Sequence, residues 1–308
     1  MENTFIQQII QDQIVISSIS VLNGNVLLTG CKIFGYMWYG KVAVTNKYDV
    51  IDVNCLKIAA SCGDWVSDGK SFIIGKDNGQ IEHFTFNHDT ICLSKSVQHF
   101  EHQSPVVSIC IDRRELNDNR FVSGCMKGDV VLWDCPTLSP IRHITPTNYF
   151  KTISRPCKVC IKNNILLCSI RSEFKLYDIR CNATEIHMYN VDGFINDILI
   201  SGDNTCFVVS NNGIFKFDVA NKSLSVVDMQ FDGLPVSIDT IRHSGEDFIN
   251  VVATSTGEFI KLDNSNEPVK KWQCQSNKEL CSMRVVDDDY SVWHTNNADA
   301  TVYWTKLI

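Results

Sequence analysis

The chain has 308 residues, of which 44% are hydrophobic and 20% charged, with a formal net charge of −7. This is the composition of an ordinary globular protein, and it argues against a disordered chain and against a nucleic-acid binder, which would carry a basic face. No apolar run is long enough to span a bilayer as a helix, and Met1–Val15 lacks the basic start and unbroken apolar stretch of a signal peptide.

From the N-terminus, Thr4–Ile10 (TFIQQII) is the first apolar segment. Asn25–Asn46 then gives two apolar runs joined by Phe34-Gly-Tyr-Met-Trp-Tyr39, a connection expected to be a surface loop. Ser71–Phe86 (including IIGKDNGQIEHF) repeats the shape: an apolar strand, a Gly/Asp turn, and a second strand with an aromatic near its end. Leu93–Gln98 (LSKSVQ) follows as a more polar outer strand. Val106–Ile111 (VVSICI) alternates as a half-buried strand does, and it precedes the clearest hairpin, Arg120–Asp134 (RFVSGCMKGDVVLWD). The hairpin returns at Ile165–Arg180 (LLCSIRSEFKLYD). It returns again at Thr205–Ala220, Asn250–Asn264 and Tyr290–Lys306, each preceded by an alternating run: Ile195–Ile200, Val236–Ile241 and Leu280–Val285.

One position near the end of each hairpin sets the period. It is filled in turn by Thr45, Phe84, Trp133, Tyr177, Phe217, Leu262 and Tyr303, at gaps of 39, 49, 44, 40, 45 and 41 residues. A period of about 40–45 with a hairpin in each unit is the signature of a WD-repeat β-propeller. The expected fold is therefore all-β: a seven-bladed WD-repeat propeller filling residues 1–308 as one domain. Residues 21–308 form the seven blades, and residues 1–20 supply a closing strand and the approach to the first blade. Only five residues follow Tyr303, so Thr4–Ile10 is expected to provide the outer strand of the last blade and close the ring.

The residues with chemical potential are few. The 14 cysteines are scattered, many in strand patterns, and read as reduced, buried thiols of a cytoplasmic or nuclear protein. Cys157-Lys-Val-Cys160 has no second pair to complete a zinc site. His99 and His102 are spaced like a metal pair, but Glu101-His102 falls where WD repeats carry a structural Gly-His dipeptide. No nucleotide-binding or nucleophile motif is present, so neither a cofactor nor catalysis is expected. Asp287, Asp288 and Asp289 form an acidic run that reads either as a solvated loop or as a contact for basic peptides. Arg113-Arg114 reads as solvated, and Trp293 and Trp304 as core residues. The negative balance is compatible with a basic protein partner such as a histone tail.

The aromatic cluster stands apart. Phe34, Tyr36, Met37, Trp38 and Tyr39 are large and apolar on a connection longer than those of the other repeats. Two readings fit: an anchor that buries itself in a partner, or a plug that packs the first blade against its neighbour.

Asn25–Val44 (NVLLTGCKIFGYMWYGKVAV) resembles the first blade of the methylosome protein 50 family, the WD-repeat cofactors of the type II (symmetric) protein arginine methyltransferase. The likeness continues through Trp65, Gly69, Asp77-Asn-Gly79, Ile81-Glu82, Glu101-His102 and Val106-Val107, and covers roughly residues 21–111. The chain departs from the vertebrate pattern in having Ala43 after the connection and in keeping only one Trp-Asp ending, Trp133-Asp134. The resemblance implies a non-catalytic subunit of a hetero-oligomer. The family's Trp-bearing loop inserts into the barrel domain of the methyltransferase, and by position that residue is Trp38, with Phe34, Tyr36, Met37 and Tyr39 around it. The family also helps present histones and Sm proteins as substrates. The alternatives are another interaction scaffold, such as a ubiquitin-ligase substrate receptor or chromatin reader, and a propeller enzyme with an acid/base site at the axis. The strands nearest the axis read as mostly apolar with Ser, Cys and Thr, which disfavours the enzyme.

Overall fold

A computed structural model describes residues 15–34, 37–46, 50–87, 90–96, 101–113, 120–144, 156–180, 184–202, 205–242, 248–263, 268–273, 280–286, 291–296 and 301–306. All of its regular elements are β-strands, twenty-seven in number among the described residues. They form seven antiparallel sheets, six of four strands and one of three, each ordered as the chain runs. The first sheet comprises β1 (Val15–Leu22), β2 (Asn25–Phe34), β3 (Met37–Thr45) and β4 (Val50–Leu56). Sheets two to six are β5–β8, β9–β12, β13–β16, β17–β20 and β21–β24, spanning Ala60–Ser96, Val106–Ile144, Cys157–Asn190, Ile195–Val227 and Pro235–Gln273. The seventh holds β25 (Leu280–Val286), β26 (Ser291–Asn296) and β27 (Thr301–Lys306).

The first strands of successive sheets touch in cyclic order β1, β5 (Ala60–Trp65), β9 (Val106–Ile111), β13 (Cys157–Lys162), β17 (Ile195–Ser201), β21 (Pro235–Arg242), β25, and β25 meets β1 again. The architecture is thus all-β and propeller-like. The alternating runs read in the sequence are these first strands: Val106–Ile111 is β9, and Ile195–Ser201, Pro235–Arg242 and Leu280–Val286 are β17, β21 and β25. The expected closing strand, Thr4–Ile10, lies outside the described residues.

The core is a series of slabs between neighbouring sheets. Leu27, Val42 and Val44 of sheet one meet Trp65, Phe72 and Ile74 of sheet two. Ile73, whose side chain points to the other face of β6 (Ser71–Lys76), joins Phe121, Val131 and Trp133 of sheet three. Val122 and Leu132 turn the other way, towards Val159 and Leu166 of sheet four. Leu167 and Phe174 then meet Val208 and Phe217, and Phe207 and Val209 meet Ile238 and Val252. Val251 and Phe259 close on Met283 and Val292 of sheet seven. Second strands are therefore buried on both faces and read as unbroken apolar runs, as in β6, all six of whose residues are buried.

The seven periodic positions all fall on the third strand of their sheet. Thr45, Phe84, Trp133, Tyr177, Phe217 and Leu262 are buried there. Phe84 stacks on its cross-strand partner Phe72 at 5.3 Å, and Trp133 on Phe121 at 5.5 Å. Such ring pairs add roughly 1 kcal/mol beyond the area they bury.

First strands face a problem of their own: each is an edge whose outward N–H groups have no ladder partner. Side chains supply it. Ser108 Oγ and Cys110 Sγ accept from the N–H groups of Val159 and Ile161 on the next first strand, at 3.1 and 3.4 Å. Asp64 Oδ2 accepts from Ile111 N–H at 3.0 Å, Asp197 Oδ2 from Ile238 at 3.2 Å, and Asp239 Oδ2 from Val285 at 2.9 Å. The pairings advance in step (108 with 159, 110 with 161), so neighbouring first strands run in the same direction. All turns between second and third strands consequently gather on one rim.

Candidate functional site

Among the described residues the hairpin of β2 and β3 is the longest, with pairing that runs from Val26↔Thr45 out to Ile33↔Trp38 and Phe34↔Met37. On one side β1 accompanies it only as far as Cys31, and on the other β4 begins at Gly40. Among the described residues, Lys32–Phe34 and Met37–Tyr39 therefore pair only with each other, with β4 pairing ending at Gly40. The expected loop over Phe34–Tyr39 is corrected here: Phe34, Met37, Trp38 and Tyr39 are strand residues, and only 35 and 36 lie between the strands. The physical reason is that aromatics favour extended backbone, so this Gly-containing aromatic run prolongs the strands instead of looping between them.

Trp38 is 54% exposed and Tyr39 36%. Strand alternation puts Trp38 on the face of β3 that holds Gly40, Val42 and Val44, the last two buried against sheet two. Gly40 marks where that contact ends. A Cβ there would sit 2.3 Å from the carbonyl oxygen of Ile58 and 3.0 Å from the nitrogen of Ala60, so only glycine lets the chain leading into sheet two cross so closely. Trp38 is one step past this crossing, and the indole emerges above the rim. It is thus not the plug between neighbouring sheets. Tyr36 and the acidic run Asp287, Asp288 and Asp289 lie outside the described residues, as do the side chains of Phe34 and Met37.

The axis is more polar than the sequence implied. The first strands carry Asp64, Asp197, Asp239 and Arg284, not only Ser, Cys and Thr. Burial pushes the Asp239 carboxyl up, against the pull of Arg284 and the amides of Val285 and Thr240. Burial lowers Arg284, but the charge of Asp239 and then of Asp197 and Asp64 outweighs it and holds the guanidinium above its usual value. These groups are absorbed in holding sheets together. Arg113, expected to be solvated, also belongs to this network: it pairs with Asp64 and donates to the Trp65 carbonyl at 3.4 Å. The signal missed was Asp64 itself, an acid inside a short apolar strand.

Cys157 and Cys160 lie three apart in β13 and so face opposite sides of their sheet. Burial pushes the thiols of Cys62, Cys135 and Cys206 to about 12, and Cys110, hydrogen-bonded with Cys160 and buried, is held well above its usual value. Such thiols are poor nucleophiles and metal ligands. His102 is a turn histidine with a structural bond: its Nε2 lies 2.6 Å from Ser123 Oγ, which also accepts from Trp133 Nε1–H at 2.7 Å. His99 lies outside the described residues.

No protein-family model matches the chain, and no curated protein matches it in sequence. The class of protein that stands on geometry alone is an all-β, propeller-like ring with an aromatic ribbon raised from one rim.

Proposed function

We propose that the chain is a seven-bladed WD-repeat propeller acting as the non-catalytic scaffold of a protein arginine methyltransferase complex. In this reading the ribbon around Trp38 inserts into the enzyme, and the enzyme performs the methyl transfer on basic substrates such as histones or Sm proteins. Complexes of this kind operate in the cytoplasm or nucleus, and the reduced, buried thiols fit those compartments.

The observation that carries the reading is the exposed indole of Trp38 at the end of a long hairpin, beyond the point where β4 stops pairing with β3. A two-stranded ribbon in water is marginally stable by itself, and a large aromatic at its end gains most when a partner buries both. Its position matches the Trp-bearing segment of the family whose first blade Asn25–Val44 resembles. Among the described residues, the axial carboxylates of Asp64, Asp197 and Asp239 are engaged with backbone amides, and Asp64 also with Arg113, in keeping with a structural role.

Affinity purification from native cells identifies the partner: a symmetric-dimethylating methyltransferase supports the proposal, and a ubiquitin-ligase adaptor in its place overturns it. Within such a complex Trp38→Ala weakens binding by about 2 kcal/mol or more. Undiminished binding by a variant that melts like the native protein would remove the ribbon from the interface.

A further inference from the structure

The large apolar side chains exposed among the described residues form two sets. Six sit one to a sheet on fourth strands: Val53, Leu93, Ile141, Met188, Val226 and Val269. Scattered singly round the circumference, they are ordinary surface. The others lie at the rim from which the ribbon rises, and two of these, Phe194 and Leu234, belong together. They are 61% and 52% exposed. Each ends the phrase Asp-Gly-apolar just before a first strand: Asp192-Gly-Phe194 ahead of β17 and Asp232-Gly-Leu234 ahead of β21.

These loops are held rigidly. Gly193 and Gly233 have φ of 84° and 92°, the left-handed region that favours glycine. A Cβ on Gly233 would also meet Thr256 Cγ2 at 2.7 Å. The Phe194 carbonyl accepts from Asn211 N–H at 3.0 Å, and the Leu234 carbonyl from Ser255 N–H at 2.7 Å. Asn196 ties one loop to the other, donating to the Pro235 carbonyl at 2.7 Å and to Asn211 at 2.8 Å. Two apolar side chains are thus fixed in the open on neighbouring, mutually bonded loops, so a ligand would meet a surface already ordered.

Charge selects the ligand. Asp192 and Asp232 are exposed beside the two apolar residues, and among the described residues no side-chain hydrogen bond or ion pair engages their carboxylates. Lys271, on β24 (Pro268–Gln273) of sheet six, is already paired with Glu258 at 3.0 Å, and Arg171, on the turn beside Phe194, is an exposed cation bounding the patch. We propose that loops 192–194 and 232–234 form a docking surface for an extended basic segment of another polypeptide, its apolar residues against Phe194 and Leu234 and its basic residues on Asp192 and Asp232. The surface belongs to sheets five and six and the ribbon to sheet one, so the inference stands whichever enzyme the ribbon meets.

The test titrates the purified full-length chain into a short fluorescent peptide in which arginine alternates with leucine and glycine. Matched peptides carry glutamate for arginine or serine for leucine. The arginine–leucine peptide binds and weakens with added salt. The double variant Phe194→Ser/Leu234→Ser weakens it by at least about tenfold. Asp192→Asn/Asp232→Asn weakens it and removes most of the salt dependence, while Trp38→Ala leaves it unchanged. Four results overturn the proposal: no binding, equal binding of the glutamate peptide, native affinity in both double variants with unaltered melting, or loss through Trp38→Ala alone.

Discussion

Ser123 shows how one side chain satisfies two others. Trp133 Nε1–H can only donate, so Ser123 Oγ accepts from it and shares a second hydrogen bond with His102 Nε2. Burial, reinforced by the charge of His143, lowers the His102 pKa to about 4 and keeps the ring neutral. All three side chains are buried. Ser123→Ala would leave an indole N–H and an imidazole nitrogen in the core with nothing to bond. The expected loss is about 2–4 kcal/mol, read from the denaturant midpoint at unchanged slope. A loss under about 1 kcal/mol would mean that this trio is not what fixes the third sheet. The sequence announced His102 as a turn residue and Trp133 as the aromatic that ends its hairpin, but not the serine between them. Ser123 is one of many serines on strands, and its role depends on a register, Phe121↔Trp133 and Ser123↔Val131, that appears only when β10 (Arg120–Cys125) and β11 (Val130–Asp134) pair.

At the scale of elements, hairpins were legible and edges were not. A hairpin is a local object: an apolar run, a turn and a second run, readable over a dozen or so residues. The latches between first strands join residues such as Asp64 and Ile111, or Asp239 and Val285, that sit far apart in the chain, and no local pattern marks them. The reach of the β2–β3 hairpin beyond β4 has the same cause, since where β4 stops pairing is a question of register. Gly40 is the hinge of this element, and Gly40→Ala tests it. The methyl would collide with the Ile58 carbonyl, so β3 or the chain leading into sheet two must shift. The expected cost is about 1–3 kcal/mol of stability, as for other overpacked sites. Trp38 is displaced with the strand, so partner binding falls more than it does for a substitution of equal stability cost elsewhere, such as Ile73→Val. Equal losses in the two variants would show that the ribbon's position is not set at Gly40.

For the whole molecule, buried slabs join each sheet to the next from the first to the seventh, and the first strands continue the cycle from β25 to β1. Damage to any one slab is therefore felt by the ring, and unfolding is expected to be a single transition. Acid provides the probe. His102 is held just before sheet three and His294 on β26 of sheet seven; both are buried, and burial lowers each to about 4 from 6.5. Because the folded values lie below the unfolded ones, the unfolded chain binds protons first. Stability is full above about pH 6.5 and declines as pH falls towards 4, by roughly 3 kcal/mol for each imidazole. Asp239, whose carboxyl is raised by burial, works in the opposite sense, favouring the folded state as it protonates. Urea midpoints measured across this window should fall along one transition, although the two histidines belong to separate sheets. His102→Gln, whose amide can still bond to Ser123, should lower the slope of the decline by about one proton and leave the transition single. Two resolved transitions, with only one of them sensitive to His102→Gln, would mean that the ring is not a cooperative unit.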